Sequence, residues 1–455
     1  MTINNSRKTF HLRQNAMLQQ LRNEILSGIK AIGEYLPSEK MLSEQFGLSN
    51  KAVRQVLEVL ANEQLIEKKA RIGNRVVSQG QKRITLKLGH HETTPNESGL
   101  SDLLSAFQQE YPYIQVQAIT LPSYSPDVLK SYMDYGMMDV MTFNDSEFQE
   151  FIETGNEIYL APVEKKSDMY PFLSKAFMSG EQLLAQPFVF SPAILCYNRD
   201  HFTEKGLSEP DNSWSWEQVF ETGRKLDAAN ERIGFLFSVS QRNRFSLFLL
   251  QSGVVFERRP NGQIQLFDTK MMEAIRFYKD IISNRMTNIL SKQDASFRAE
   301  DLFVQGKVSM IITTYLSLNH IRKANIQYEL APLPHRESSV THLITLGLAV
   351  NKQSPHLEAA QQLVDFLTSY EAQLAIRKNT LSLPSLKTAA EWMGEECGYR
   401  PSRFPMYREW TSTFRYHKEL GITEKEWKIF FDEIFMYLLG LETEEMLCSR
   451  LEGFI

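Results

Sequence analysis

Between Leu36 and Val76 the chain carries two apolar helix patterns separated by a single glycine, and few folds accept that arrangement. The first pattern opens with Leu36-Pro37-Ser38-Glu39-Lys40. Ser38 is placed to accept a backbone hydrogen bond as an N-cap. Met41, Leu42 and Phe46 supply an inner face, and Gly47 ends the helix because a left-handed residue after a helix costs glycine little. Ser49 is then set to cap a second helix, in which Val53, Val56, Leu57 and Leu60 follow the i, i+3, i+4, i+7 spacing. Its first turn leaves Asn50, Lys51 and Arg54 facing outward. An earlier helix with Met17, Leu18, Leu21 and Ile25 closes a three-helix core, and Ile66-Glu67-Lys68-Lys69 with Gly73 and Val76 reads as a basic hairpin. Together these make a winged helix-turn-helix.

In that arrangement the second helix offers its N-terminal residues to base edges in the major groove. Arginine pairs with guanine O6 and N7, and asparagine with adenine N6 and N7. Charge agrees. Residues 1–90 hold 15 Lys/Arg and 7 Asp/Glu, a balance of +8; the chain as a whole is −5, so residues 91–455 carry −13. A basic head on an acidic body suits phosphate contact by the head alone.

The Leu-Pro-Ser-Glu run, the Phe46-Gly47-Leu48-Ser49 turn and Val53-Arg54 followed by Leu57 resemble the GntR-type winged-helix regulators over roughly residues 10–78. The resemblance implies double-stranded operator DNA as a partner. It puts the contacts at Lys40, Asn50, Lys51, Arg54 and Arg71, with Ser49 and Asn74 completing the expected set. Asn50 stands where that family usually has Arg, and Arg71 where it usually has Gly, so operator sequence does not carry over.

A length of 455 residues predicts two or three domains, and a 42% hydrophobic fraction is ordinary for a globular chain. No apolar run reaches membrane-spanning length, and the N-terminus reads without a signal-peptide core, so a cytoplasmic protein with no membrane partner is expected. Cys196, Cys397 and Cys448 are odd in number and lack metal-ligand spacing, which predicts reduced thiols and no metal or other cofactor.

Domain boundaries are expected at 1–78 for the DNA-binding head, 79–83 for a polar, basic linker, and 84–455 for an effector domain with a helical C-terminal region. From Ile84 onward strand and helix patterns alternate, giving an α/β class overall. Ile84–Leu88, Ile114–Ile119, Asp139–Phe143 and Phe188–Tyr197 read as strands; Leu100–Tyr111, Trp216–Leu226, Met271–Ile282 and Leu357–Leu367 read as helices. His90-His91 is read as a solvated loop or strand end, not a metal site.

This second part resembles the extracellular solute-binding proteins of sugar transporters, the maltose-binding-like family, from about residue 84 to at least 390. The resemblance rests on Phe107 with Tyr111-Pro112 and Val116; on Asp139-Val140 with Asp145; on Tyr197-Asn198-Arg199-Asp200; on Trp214-Ser215-Trp216-Glu217; on Gly306-Lys307 with Met310; and on Ala331-Pro332-Leu333-Pro334. Residues 391–455 match less well. The resemblance implies two α/β lobes, a hinge and a ligand cleft. It places the cleft residues at Asn144, Asp145, Phe190, Ser191, Gln251, Thr313, Tyr315 and Gly347, and makes Trp216 a structural residue.

The combined expectation is a DNA-binding regulator, homodimeric and not an enzyme, whose operator affinity is controlled by a small-molecule effector, a mono- or oligosaccharide. Two alternatives stay open. One is a pyridoxal-phosphate aminotransferase-like regulator, for which no Gly-rich phosphate loop or lysine context is found. The other is a DNA-tethered binding module without signalling.

Overall fold

In the computed structural model, residues 2–69, 72–78, 84–229, 231–237, 242–281, 298–336, 338–394 and 399–454 are described. They fall into two compact units. The first comprises Met1–Leu88, Ser101–Ile119 and Glu358–Leu363; the second comprises Gly89–Leu100, Thr120–Leu357 and Val364–Ile455. The expected linker 79–83, Arg71 and Cys397 lie outside the described residues.

The first unit begins with helices α1 (Thr2–Leu26), α2 (Glu39–Phe46) and α3 (Asn50–Asn62), followed by an antiparallel hairpin of β1 (Ile66–Lys69) and β2 (Gly73–Val76). The local signals act as the sequence predicts. Ser38 Oγ accepts from Met41 N at 3.3 Å, Gly47 takes a left-handed φ of 60°, and Ser49 Oγ accepts from Ala52 N at 3.3 Å. Met17, Leu21, Ile25, Leu42, Val53, Val56, Leu57, Leu60, Ile66 and Val76 form one buried cluster. Met41 departs from expectation and is 58% exposed. A helix of eight residues buries one narrow stripe through Leu42, and Met41 lies one position off it. Asn74, expected on DNA, is buried instead: along β2 the inward side alternates, and Asn74 shares it with Val76.

The same unit holds strand β3 (Ile84–His90) up to Leu88, most of helix α4 (Leu100–Glu110) and of strand β4 (Ile114–Thr120), and a short stretch of a later helix, Leu357–Leu367. Helix α1 is bonded to these pieces. Arg22 pairs with Glu63 through Nε at 3.0 Å and through Nη2, and its Nη1 lies 3.6 Å from Glu358. Asn23 Nδ2 donates to Glu110 O at 2.9 Å, and Tyr113 OH donates to Gln19 Oε1 at 3.3 Å.

The second unit is organised by a mixed sheet in the order β5 (Val140–Asn144), β10 (Thr341–Val350), β6 (Gln186–Asn198), β8 (Val308–Thr314), β7 (Ile233–Leu236). All thirteen residues of β6 are buried. Its first half pairs with β10, Ser191 opposite Ile344; its second half pairs with β8, Ala193 opposite Thr314. On their other edges the two halves meet β11 (Leu383–Pro384) and β9 (Tyr328–Ala331). Pairing on both edges and burial on both faces explain why β6 reads as a continuous apolar run. Cys196 lies within it, a free buried thiol, as is Cys448.

Seven of the eight expected cleft residues have structural duties here. Phe190 is fully buried, edge-on to Tyr170 and Tyr407. Ser191 Oγ accepts from Leu316 N at 2.8 Å. Gln251 Oε1 accepts from Trp216 Nε1 at 2.8 Å, while its Nε2 donates to Pro334 O and Val340 O. Thr313 Oγ1 donates to Glu300, and Tyr315 OH donates to Phe404 O at 2.9 Å. A Cβ on Gly347 would meet the Phe177 ring at 2.8 Å. Asp145 Oδ1 accepts from Thr345 N at 2.8 Å. A polar atom already satisfied inside a packed sheet has little left to offer a ligand.

Two expectations follow from these contacts. Arg22→Ala strips a largely buried guanidinium of its carboxylates, and hydrogen bonds to charged groups contribute about 1.5–3 kcal/mol. Urea unfolding of the full chain should therefore show a loss of about 2 kcal/mol for Arg22→Ala. The second concerns Asp145, whose carboxyl burial pushes up to about 7, with the Thr345 N–H and His417 opposing and Glu424 adding to the rise. A carboxyl raised above its ordinary 3.8 stabilises the fold fully below that value and ceases to do so as pH rises through about 7. Unfolding free energy should fall between about pH 4 and pH 7, and Asp145→Asn, which keeps an acceptor for Thr345, should flatten the fall.

Candidate functional site

In the first unit the expected DNA-contacting side chains form one exposed face. Lys40, Ser49, Asn50, Lys51 and Arg54 are all exposed, four of them at the N-terminal end of α3. The Arg54 side chain is 67% exposed, and its Nε rests 2.7 Å from Glu39 Oε2. Position follows from the cap: Ser49 fixes where α3 starts, and the buried positions Ala52, Val53, Val56 and Leu57 turn Lys51 and Arg54 outward.

In the second unit a cavity of about 740 Å³ opens where β6 changes partners. Thr314 at the end of β8 and Ile344 and Leu346 on β10 line it. Of the expected cleft residues Asn144 does so too, together with Ser146. Asn144 caps helix α5 (Asp145–Glu153): its Oδ1 accepts from Glu147 N at 2.9 Å, and Glu147 Oε2 accepts from Asn144 N at 3.0 Å. That reciprocal cap aims the Glu147 carboxylate at His91. The His91 Nε2 lies 2.9 and 2.8 Å from the two Glu147 oxygens, and its Nδ1 lies 3.1 Å from Thr142 Oγ1. The imidazole stacks on Tyr124 with centroids 3.8 Å apart and planes 3° from parallel. His91, read from sequence as solvated loop, is thus a fixed part of the wall.

More of the wall comes from the C-terminal region. Helix α10 (Glu424–Leu438, where α6 is Trp216–Leu226, α7 Arg242–Gln251, α8 Ala299–Val304 and α9 Leu357–Leu367) brings Glu424, Trp427 and Lys428 to the cavity. Lys428 Nζ sits 2.5 Å from both Glu150 oxygens, and His417 pairs with Glu424. Burial works against the charged His417 ring, but Glu424, Asp145 and Glu153 outweigh it, so its pKa is raised. Ser146 Oγ lies 3.3 Å from His417 Nδ1. A ring that favours its proton is ill suited to act as a base toward Ser146. Arg244 on α7 is 3% exposed. Among the described residues no three of His, Cys, Asp and Glu are grouped to hold a metal ion.

The wall therefore combines ring faces with hydroxyls and paired charges, a set suited to noncovalent recognition of a polar solute. Sequence reasoning missed His91, Tyr124, Arg244 and Trp427. Trp427 and Lys428 fall in the stretch where resemblance was weakest, and nothing local marks Arg244 as a wall residue.

The model of the bacterial extracellular solute-binding protein family matches residues 92–374, and that of the bacterial regulatory proteins, gntR family, matches residues 13–76. The galactooligosaccharide-binding protein of Bacillus subtilis (strain 168) is 24% identical over 325 residues, covering 66% of this chain and 72% of that protein. Other curated relatives are matched over 40% and 54% of their length, so the chain spans about half of them. Among solved structures, the ABC substrate-binding protein Lmo0181 from Listeria monocytogenes in complex with cycloalternan gives a TM-score of 0.67 at 19% identity, covering 82% of this chain and 97% of that one. Maltose-bound T. maritima MalE3 gives 0.65 at 18% identity, covering 81% and 98%. At such identities the likeness establishes the fold, two-lobed and α/β. With a winged helix-turn-helix of the gntR family ahead of it, the chain belongs to the bacterial extracellular solute-binding protein family.

Proposed function

We propose that this protein is a cytoplasmic transcriptional regulator, homodimeric on a pseudo-palindromic operator, whose DNA affinity is set by a carbohydrate held in the cavity of the second unit. The observation that carries the reading is the fusion of a gntR-family head to a solute-binding domain in one chain. The B. subtilis relative is named for galactooligosaccharides, and the two solved neighbours hold cycloalternan and maltose. The cavity supports a sugar chemically: the Trp427 ring and the His91–Tyr124 stack offer apolar faces, and Thr93, Ser123, Ser125 and Asn144 offer hydrogen-bonding groups. The solute-binding match over residues 92–374 removes the basis for the aminotransferase-like alternative and favours binding over catalysis.

Control of this kind requires that the ligand have different affinities for the DNA-competent and DNA-incompetent states. The expected contacts divide by chemistry. Asn50 and Arg54 read bases, while Lys40, Lys51, Ser49 and the wing residue Arg71 meet phosphates. Buried Asn74 is no longer among the proposed contacts.

Arg54→Ala should weaken specific operator binding by about 1–3 kcal/mol and relax one base position, whereas Lys40→Ala should weaken all sequences alike and flatten the salt dependence. Gel-shift titrations over several salt concentrations measure both; an Arg54→Ala protein with wild-type specificity would displace α3 from the reading role. The cognate sugar should shift operator affinity by roughly 5–150-fold, and operator DNA should shift sugar affinity by the same factor. A titration with and without a panel of mono- and oligosaccharides checks this. A sugar that binds without moving the operator curve would leave a DNA-tethered binding module instead.

A further inference from the structure

The charges around the cavity do not cancel evenly. Three of its wall carboxylates have a base in contact: Glu147 with His91, Glu150 with Lys428, and Glu424 with His417. Glu97 and Arg244 stand outside these pairs. Glu97 is 8% exposed, and burial raises its pKa, which favours the neutral carboxyl. Arg244 cannot make that adjustment, because a guanidinium keeps its proton at any ordinary pH.

Arg244 is 3% exposed, lines the cavity from α7, and its Nη1 has no hydrogen-bond partner. Among the described residues no carboxylate forms an ion pair with it. Glu300 acts on it only at a distance, and the Glu300 carboxylate is already engaged by Thr313. A buried cation without a partner is costly to hold. A chain that keeps one on the wall of a ligand cavity gains if the ligand brings the counter-charge.

We infer that the ligand is an acidic carbohydrate, a sugar bearing a phosphate or carboxylate group, and that Arg244 binds that anionic group. This rests on the carbohydrate reading above and narrows it. The planar guanidinium offers parallel N–H donors that match two oxygens of a phosphate or carboxylate. Thr314 and Ser317, whose hydroxyls are bonded to each other, and Ser246 line the same cavity.

The test uses the full chain and isothermal titration with three probe classes: neutral mono- and disaccharides; the corresponding sugar phosphates and uronic acids; and inorganic phosphate alone. Wild type, Arg244→Met and Arg244→Lys are compared. An acidic sugar should bind wild type, its neutral parent should bind at least about tenfold more weakly, and Arg244→Met should weaken the acidic sugar by about 10–100-fold. Arg244→Lys should retain part of the affinity, since it keeps the charge and loses the fork. Phosphate-bearing and carboxylate-bearing probes separate the two sources of the anion. Thermal unfolding supplies the control. Arg244→Met removes an unpartnered buried charge, so the ligand-free variant should melt no lower than wild type; a lower melting point would show that the guanidinium is structurally satisfied and overturn the argument. Neutral sugars that bind wild type and Arg244→Met equally would overturn the acidic assignment and leave the carbohydrate reading standing. Phosphate binding as tight as any sugar phosphate, and dependent on Arg244, would keep the anion anchor and remove the carbohydrate. Failure of every acidic probe at millimolar concentration would overturn the inference.

Discussion

The second unit depends on one strand with two sets of partners. Strand β6 pairs with β10 and β11 along its first half, and with β8 and β9 along its second. Each half has a partner on both edges, so neither can be removed without exposing backbone polar groups on both sides. The exchange occurs within two residues, Ser191 to Ala193, and Pro192, which lacks an N–H, stands between them. Diverging neighbours leave space at that point, and the cavity walls begin with the residues opposite it, Ile344 and Thr314. The cavity is a geometric result of the partner change.

The contrast between the well-read head and the poorly read cavity has a physical cause. Ser38, Gly47 and Ser49 act on backbone within four residues of themselves, so their meaning is local and legible. A wall position is set by the phase of a strand or helix relative to a distant surface, and an error of one residue reverses it. Thr313 and Tyr315 flank the residue that does line the cavity, Thr314; Gly347 follows Leu346; and Asp145 lies between Asn144 and Ser146. The right stretches were found and the phase was not. Asn74 in the wing is the same error in a two-stranded hairpin. Fold class needed no such phase, since order and spacing of the landmark residues sufficed.

Charge management in the cavity shows a second regularity. The acidic side chains of the wall are held by bases that come from far along the chain: Glu150 by Lys428, and Glu147 by His91. These pairs are invisible to local pattern, yet they decide the electrostatic character of the site. The acidic body does not make an acidic cavity.

Arg22 has a consequence for the response to salt. Its guanidinium touches Glu63, whose side chain is 31% exposed, and Glu358, whose side chain is 73% exposed. Screening at physiological ionic strength acts over about 8 Å and falls mainly on solvated charges. The arm toward Glu358 is therefore the one that added salt slackens, while the arm toward Glu63, inside the winged helix, holds. Ionic strength reaches this chain by two routes: through the phosphates that the head grips, and through the tether of α1 to the start of α9.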